Sequence, residues 1–321
     1  MHPRSMLFTL WGVYIRHFGS EIPLSAVLRL MDEFGFAGPA VRVAVSRLAE
    51  QGWVSLRKAG RNSYLSMTPK GLERVDEAAT RIYRLRPERW NGSWLLLTYT
   101  IPEEQRAARD QLRADLAWWG FGTLSPGTWL SPHSLSPALA ARLASPEFSP
   151  YVDYFQARYT GPNTNAALVL KGWRLEEVFA RYNLFLEKFY PEFEAAQSGA
   201  QARALSEQDC FVRRCRLVHE YRKFLFVDPG LPEELLAADW PGGEAFALFH
   251  AYDQLLAGPA ARYFYSVYLA AGGLNLAPER LKQSLEAALN PFGPTGSYVS
   301  EQSDKPGLAY FKVLDRVPTH R

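Results

Sequence analysis

The chain has 321 residues, of which 47% are hydrophobic and 14% aromatic; this excludes a disordered protein and leaves room for two or three domains. A net charge of +3 hides an uneven distribution, with fourteen Lys/Arg against eight Asp/Glu in residues 1–90 and twenty-two against twenty-five in the remainder. A basic excess confined to one end suits a nucleic-acid module joined to a body with another task.

Apolar Leu7, Leu10, Trp11, Tyr14 and Ile15 recur at spacings of three and four, so 5–17 reads as a helix with one buried face, ending near Gly19. A second helix is expected from about Pro23 to Phe34, with Leu24, Val27, Leu28 and Met31 as its stripe. Gly35 and Gly38 mark a short turn, and Pro39 opens a third helix. Its residues Val41, Ala44, Val45 and Leu48 face a core, while Arg42, Val43, Ser46, Arg47 and Glu50 point outward. A DNA-reading helix needs that asymmetry, with guanidinium and hydroxyl groups offered to bases and phosphates; surface arginines kept for solvation are the plain alternative.

Trp53–Leu56 and Ser63–Thr68 read as strands joined by a loop, 57–62, in which Arg57, Lys58 and Arg61 are basic and none is acidic. Such a tip suits contact with phosphates or a minor groove. Thr68 then caps a helix from Pro69 that carries the chain toward Arg89. Helix, Gly/Pro break, helix and basic ribbon are the order of a winged helix-turn-helix, expected over 1–88.

Residues 94–101 read as a central strand, 103–118 as a charged helix, 121–130 as a broken strand region and 151–160 as a further strand. This β-α-β order suggests a ferredoxin-like α+β domain over 89–172. From Trp173 onward helices are expected at 173–189, 205–226, 245–256 and 279–289, making 173–321 a mainly helical C-terminal domain.

The longest apolar runs, such as WLLLTYTI, are too short to span a bilayer, and the N terminus lacks the pattern of a signal peptide. Cys210 and Cys215 stand at i,i+5 with no CxxC, so neither a disulfide framework nor a zinc site is indicated, and a reducing cytoplasm is the simpler setting. His219-Glu220 opens like HExxH, but Lys223 stands where the second histidine belongs. No phosphate loop, dinucleotide fingerprint or catalytic constellation emerges, so no cofactor, metal or catalytic residue is expected.

Several separated segments resemble the PaaX-type transcriptional repressors, which control phenylacetic acid catabolism in bacteria. They are SMLFTLWGVYIRHFG, AVRVAVSRLAEQGWV, GRNSYLSMTPKG, WWGFGTLSPGTWLSP and VHEYRKFLFVDPGLPEELLAADWPG, in that order along nearly the whole chain. The resemblance implies a homodimeric repressor on palindromic operator DNA, released by phenylacetyl-CoA. It implies a winged helix, a ferredoxin-like middle domain similar to Cas2, and a helical C-terminal domain. It places Arg42, Ser46 and Arg47 on the reading helix, where Val43 also faces outward as a DNA-contact candidate, and Arg57, Lys58 and Arg61 on the wing. Nuclease activity is not expected, since Tyr99-Thr100-Ile101-Pro102 offers no acid before Glu103.

An aromatic acyl-CoA wants cations at a rim and an apolar slot behind them. Arg214, Arg216, Tyr221, Arg222, Lys223 and Phe224 are the first candidates, with Trp173, Arg174 and Tyr182 beside them. The plain reading of the 219–223 cluster is a helix face of satisfied salt bridges, and the functional one is a wall of an anion-binding pocket. An activator or dual regulator responding to another aromatic acyl-CoA is the nearest alternative. An acyl-CoA hydrolase or nuclease, or a protein using the first module only to dimerise, are alternatives of other classes.

Overall fold

Apolar spacing and glycine breaks divide the N-terminal segment into short elements that cannot bury their faces alone. The computed structural model describes residues 1–18, 21–82, 89–198, 205–273 and 278–289; the expected helix end at Gly19 and the run-out through 83–88 lie outside these. The chain forms two compact units, Met1–Tyr83 with Leu184–Arg222 and Gly243–Arg321, and Arg84–Asn183 with Lys223–Gly242. The expected C-terminal stretch 173–321 is therefore divided. Leu231 and Leu235 from its middle join the core of the second unit, while the helices on either side pack within the first.

In the first unit α1 (Pro3–Val13) buries Met6, Leu7, Leu10, Trp11 and Val13 and is followed by a 3-10 turn at Ile15–His17. Strand β1 (Glu21–Pro23) precedes α2 (Leu24–Asp32) and α3 (Gly38–Glu50); β2 (Val54–Ala59), β3 (Asn62–Met67) and α4 (Pro69–Ile82) follow. The strands form an antiparallel sheet of order β1-β3-β2. Pro23 ends a strand here instead of opening a helix, because Glu21–Pro23 pairs with Tyr64–Ser66. That pairing fixes the rotation of α2, whose buried stripe is Ala26, Val27, Leu30 and Met31, with Leu24 and Leu28 only half-buried.

Strand β2 runs three residues beyond the expected Leu56, and β3 keeps its expected length but starts one residue earlier. Ala59 pairs with Asn62, leaving a two-residue turn of Gly60 and Arg61. Gly60 has φ of 60°, a left-handed value that a tight hairpin gives most cheaply to glycine.

The same unit contains the second half of α8 (Leu175–Gln197), α9 (Glu207–Tyr221), α10 (Gly242–Ala270) and α11 (Pro278–Leu289). Ser206 and Asp209 form a reciprocal capping box at the start of α9. Helix α1 is held against these helices by aromatic packing: Tyr14 stacks on Phe264 at 4.9 Å and meets Phe211 at 5.4 Å. The basic N-terminal module is thus a built part of a larger helical body.

The second unit runs β4 (Trp94–Tyr99), α5 (Arg106–Trp118), β5 (Gly122–Ser125), β6 (Thr128–Ser131), α6 (Pro137–Leu143) and β7 (Val152–Ala157). Its antiparallel sheet has the order β5-β6-β4-β7, the β-α-β-β-α-β arrangement expected of a ferredoxin-like unit. Leu95, Leu97 and Trp129 pack with Leu112 and Leu116 of α5 and Leu139 and Leu143 of α6. Trp94 and Leu130 pack with Val169 of α7 (Asn165–Gly172), Leu175, Leu231 and Leu235. Trp173 lies over Gly122 so closely that a Cβ there would be 2.5 Å from the indole. Only glycine permits that approach.

Candidate nucleic-acid interface

Val41, Ala44, Val45 and Leu48 bury one side of α3. With that side fixed, the helical period turns Arg42, Val43, Ser46, Arg47 and Glu50 toward solvent. Val43 is 52% exposed, which leaves a branched apolar group between the two arginines on the outer face. The Ser46 hydroxyl donates to the Glu50 carboxylate at 3.2 Å, so its hydrogen remains inside the helix face in this state.

The basic hairpin differs from the expected loop. Arg57 and Lys58 lie within β2, and only Arg61 occupies the turn. Arg57 donates two hydrogen bonds to the Glu21 carboxylate, at 3.0 and 2.8 Å, and its guanidinium carbon sits 4.8 Å from the Tyr64 ring centre. The guanidinium holds the Glu21 carboxyl below its ordinary range, chiefly through that hydrogen bond. Sequence proximity could not reveal this pair, because 36 residues separate its members and strand pairing unites them. Lys58 and Arg61 are exposed, as is Leu56, an apolar side chain on β2 that alternation alone does not single out.

At the base of the hairpin, Thr68 Oγ1 donates to the Gly52 carbonyl at 2.7 Å and accepts from the Gly71 amide at 3.2 Å. Lys70 Nζ stands 4.5 Å from the Trp53 ring. These contacts tie the start of α4 to the end of α3, fixing where the hairpin leaves the body.

The expected effector residues are distributed differently from the sequence reading. Arg214, expected at a solvent-facing rim, is fully buried. It donates to Asp253 Oδ1 and Oδ2 at 2.8 and 3.1 Å and to the Ala288 carbonyl at 2.7 Å. Tyr221 is buried and stacks on Phe249 at 4.0 Å. Arg222 donates to the backbone carbonyl of Ser5 at 2.7 Å and to its hydroxyl; burial lowers its pKa to about 10. Buried His219 meets Thr9 Oγ1 through Nδ1 at 3.1 Å. The open choice at 219–222 thus resolves toward helix packing, with hydroxyl and backbone groups of α1 as partners. Arg216 is exposed.

Lys223, Phe224, Trp173, Arg174 and Tyr182 belong to the second unit. Phe224 is buried against Tyr182, whose ring lies 3.9 Å away and whose hydroxyl donates to Asp228. Lys223 is exposed. Trp173 and Arg174 line a cleft of about 180 Å³ with Leu175, Glu177, Val178, Val227 and Pro229. The Trp173 indole donates to the Gly120 carbonyl at 3.0 Å, which sets its angle as a wall. Arg174 stands at the mouth, 4.0 Å from Glu177.

Among the described residues no group of three or more His, Cys, Asp or Glu side chains could hold a metal ion, and no helix is long and apolar enough to cross a membrane. Glu103, the first acid after β4, is engaged by Arg109 at 2.6 Å. Cys210 and Cys215 are free, buried thiols, and burial raises both pKa values.

Residues 2–71 match the family described as PaaX-like protein, 87–169 the PaaX protein central Cas2-like domain, and 173–266 the PaaX-like protein C-terminal domain. The transcriptional repressor PaaX of Escherichia coli strain K12 is 33% identical over 265 residues, 82% of each chain. A solved structure, uncharacterized protein Rv0674 from Mycobacterium tuberculosis, is 24% identical, with 82% of this chain and 96% of that chain covered and a TM-score of 0.47.

Proposed function

The chain belongs to the PaaX-like family, and we propose that it is a DNA-binding transcriptional repressor of phenylacetate catabolic genes, released from its operator by phenylacetyl-CoA. The observation that carries the reading is the outer face of α3, where Arg42, Val43, Ser46 and Arg47 project beside a hairpin bearing Lys58 and Arg61. This is a winged helix-turn-helix in which α3 enters the major groove and the β2–β3 hairpin contacts the flanking backbone. The arginines read guanine edges or phosphates, and Val43 and Leu56 supply apolar contact suited to thymine methyls. Two copies place two α3 helices on a palindromic site. The match to a repressor family supports regulation in place of catalysis. Two free thiols accord with a reducing cytoplasm.

The three parts of the reading are DNA binding by 1–88, a ferredoxin-like spacer over 89–172 and effector response within 173–321. Among the expected effector residues, Trp173 and Arg174 are the pair we assign to the ligand. The cleft they line is smaller than the roughly 300 Å³ of ordinary small-molecule pockets, so it suits the aryl end of the thioester while the CoA phosphates stay outside near Arg174. The effector must bind the two protein states with different affinity, because equal binding shifts no equilibrium.

Fluorescence anisotropy on the gene's own upstream DNA, at fixed salt and with scrambled DNA as control, tests the whole account. Selective binding reversed by phenylacetyl-CoA, but by neither phenylacetate nor CoA, is the expected result. Selective binding that ignores the thioester would remove the effector, and absence of selective binding would remove the repressor.

A further inference from the structure

The turn between α2 and α3 sets where the reading helix begins, and its local bonds fix only half of it. Gly35 takes φ of 77° and lets the Phe36 amide donate back to the Met31 carbonyl at 3.3 Å, which closes α2. Helix α3 then starts at Gly38 behind Ala37, whose side chain offers its first amides no acceptor.

The other hold comes from far along the chain. Glu33, directly after α2, accepts from Gln208 Nε2 of α9 at 2.5 Å through one carboxylate oxygen and from the Tyr263 hydroxyl of α10 through the other. Phe34 lies 5.8 Å from Phe211 of α9, and Phe211 lies 5.3 Å from Tyr263. One residue from each anchor, Arg262 donates to Glu207 at 2.6 Å and joins α10 to α9. Burial and then the hydrogen bond to Glu33 push the Tyr263 hydroxyl up to about 12, so it remains a donor at any pH at which DNA is bound. Bonds to an ionised carboxylate are roughly twice as strong as neutral ones. A half-buried acid kept for solvation alone would gain nothing from holding two helices at once.

We propose that Glu33 is a positioning residue for operator recognition: it locks the helix-turn-helix to α9 and α10, so that two copies hold their reading helices at one half-site spacing. Helix α1 already attaches the module through Tyr14 and Phe264. One attachment leaves rotation about it, and Glu33 supplies the second point that removes this freedom. The carboxylate needs no contact with DNA. Two linked sites reinforce each other only when geometry lets both engage, and a loose joint lowers their effective concentration. Binding to one half-site makes no such demand.

This inference deepens the repressor reading and rests on it. The full chain is titrated with three DNAs: the operator upstream of its gene, that operator with two base pairs inserted between the half-sites, and a single half-site. The insertion turns one half-site by roughly 70° relative to the other. Wild type should bind the spaced operator at least about a hundredfold more weakly than the native one. Glu33→Ala should narrow that ratio by about tenfold while single-half-site affinity stays unchanged. Tyr263→Phe, which keeps the ring on Phe211 and removes only the hydroxyl, should shift the ratio the same way. Glu33→Gln, which keeps an oxygen for Tyr263, should restore most of it.

A second readout needs no DNA. Cysteines replacing Val43 on α3 and Ser266 on α10, both exposed, carry spin labels, and the native thiols are buried. The label distances should be narrowly distributed in the parent and broad after Glu33→Ala or Tyr263→Phe. An unaltered spacing ratio in both variants, or equal label widths in all three proteins, would overturn the proposal. Absence of selective binding by the wild type would instead remove the repressor reading, and the label widths would then decide alone whether Glu33 locks the module.

Discussion

Arg214 and Asp253 form a bidentate ion pair, at 2.8 and 3.1 Å, with both side chains fully shielded from solvent. The Arg214 guanidinium carbon lies 5.4 Å from the Tyr14 ring centre, so the pair joins α9 and α10 at the place where α1 packs. Removing one charge strands the other in a medium that cannot solvate it, a loss of about 3–5 kcal/mol. Arg214→Met and Asp253→Leu should each lower the unfolding free energy obtained from urea melts by that measure, while the double variant recovers part of the loss. Additive losses in the double-mutant cycle would show that the two side chains act independently.

Arg42 and Arg47 stand on the solvent side of a helix whose other side is buried, so truncating them leaves the packing of α3 untouched. Each guanidinium that pairs with a base edge contributes about 1–3 kcal/mol. Arg42→Ala with Arg47→Ala should therefore weaken operator binding by at least about tenfold, a factor worth 1.4 kcal/mol, with an unchanged thermal melt. Retained operator affinity would take the reading role away from α3.

What periodicity could show was the local part of this structure. The alternation of buried and exposed positions on α3 is written in Val41, Ala44, Val45 and Leu48, because a helix side facing a core needs apolar residues every three or four places. The middle β-α-β order was legible for the same reason. The burial of Arg214 was not, since its partner is 39 residues away and charged side chains are ordinarily read as surface. Strand β1 escaped because three residues give no period, and its pairing with β3 is a long-range event. The partners of the effector candidates were illegible for a related reason: arginines and aromatics clustered in sequence at 214–224 are dealt to α1, α10 and the second unit by the fold.

The Glu21–Arg57 pair restrains the hairpin and also masks one of its charges. Arg57 is 56% exposed, so the pair itself contributes little to stability. Glu21→Gln should leave the melt nearly unchanged and release the guanidinium for phosphate contact. Operator affinity should rise, and the slope of log K against log salt should steepen by about 0.9 for one added phosphate contact. Arg57→Ala in the Glu21→Gln background should reverse both effects. An unaltered salt slope in Glu21→Gln would place Arg57 off the DNA path.

Arg174 lies at the mouth of the Trp173 cleft, with Glu177 as its neighbour at 4.0 Å. Its side chain is 89% exposed, so it can be changed without disturbing the cleft walls. Arg174→Glu reverses the charge that meets a polyanionic effector. The phenylacetyl-CoA concentration for half-release should increase several-fold, while operator affinity without effector stays at the wild-type value. Equal release curves for the two proteins would exclude Arg174 as an effector contact.

His17 links stability to pH. Burial and then the charges of Arg16 and Arg214 lower its pKa from 6.5 to about 3, and Nε2 accepts a hydrogen bond from Arg16 Nε at 3.1 Å. An imidazole that accepts there must be neutral in the folded state. Between pH 6.5 and about 3 the unfolded chain holds the proton and the folded chain does not, so stability rises with pH across that window. The contribution is complete above pH 6.5 and is lost progressively on acidification toward pH 3. Urea midpoints taken from pH 7 to pH 4 should therefore fall more steeply for the wild type than for His17→Gln, which keeps a hydrogen-bond acceptor but does not titrate. The difference between the two curves isolates this residue from the carboxylates, which titrate alike in both proteins. Parallel curves would mean that His17 is protonated in the folded state over that range and that its bond with Arg16 is not maintained.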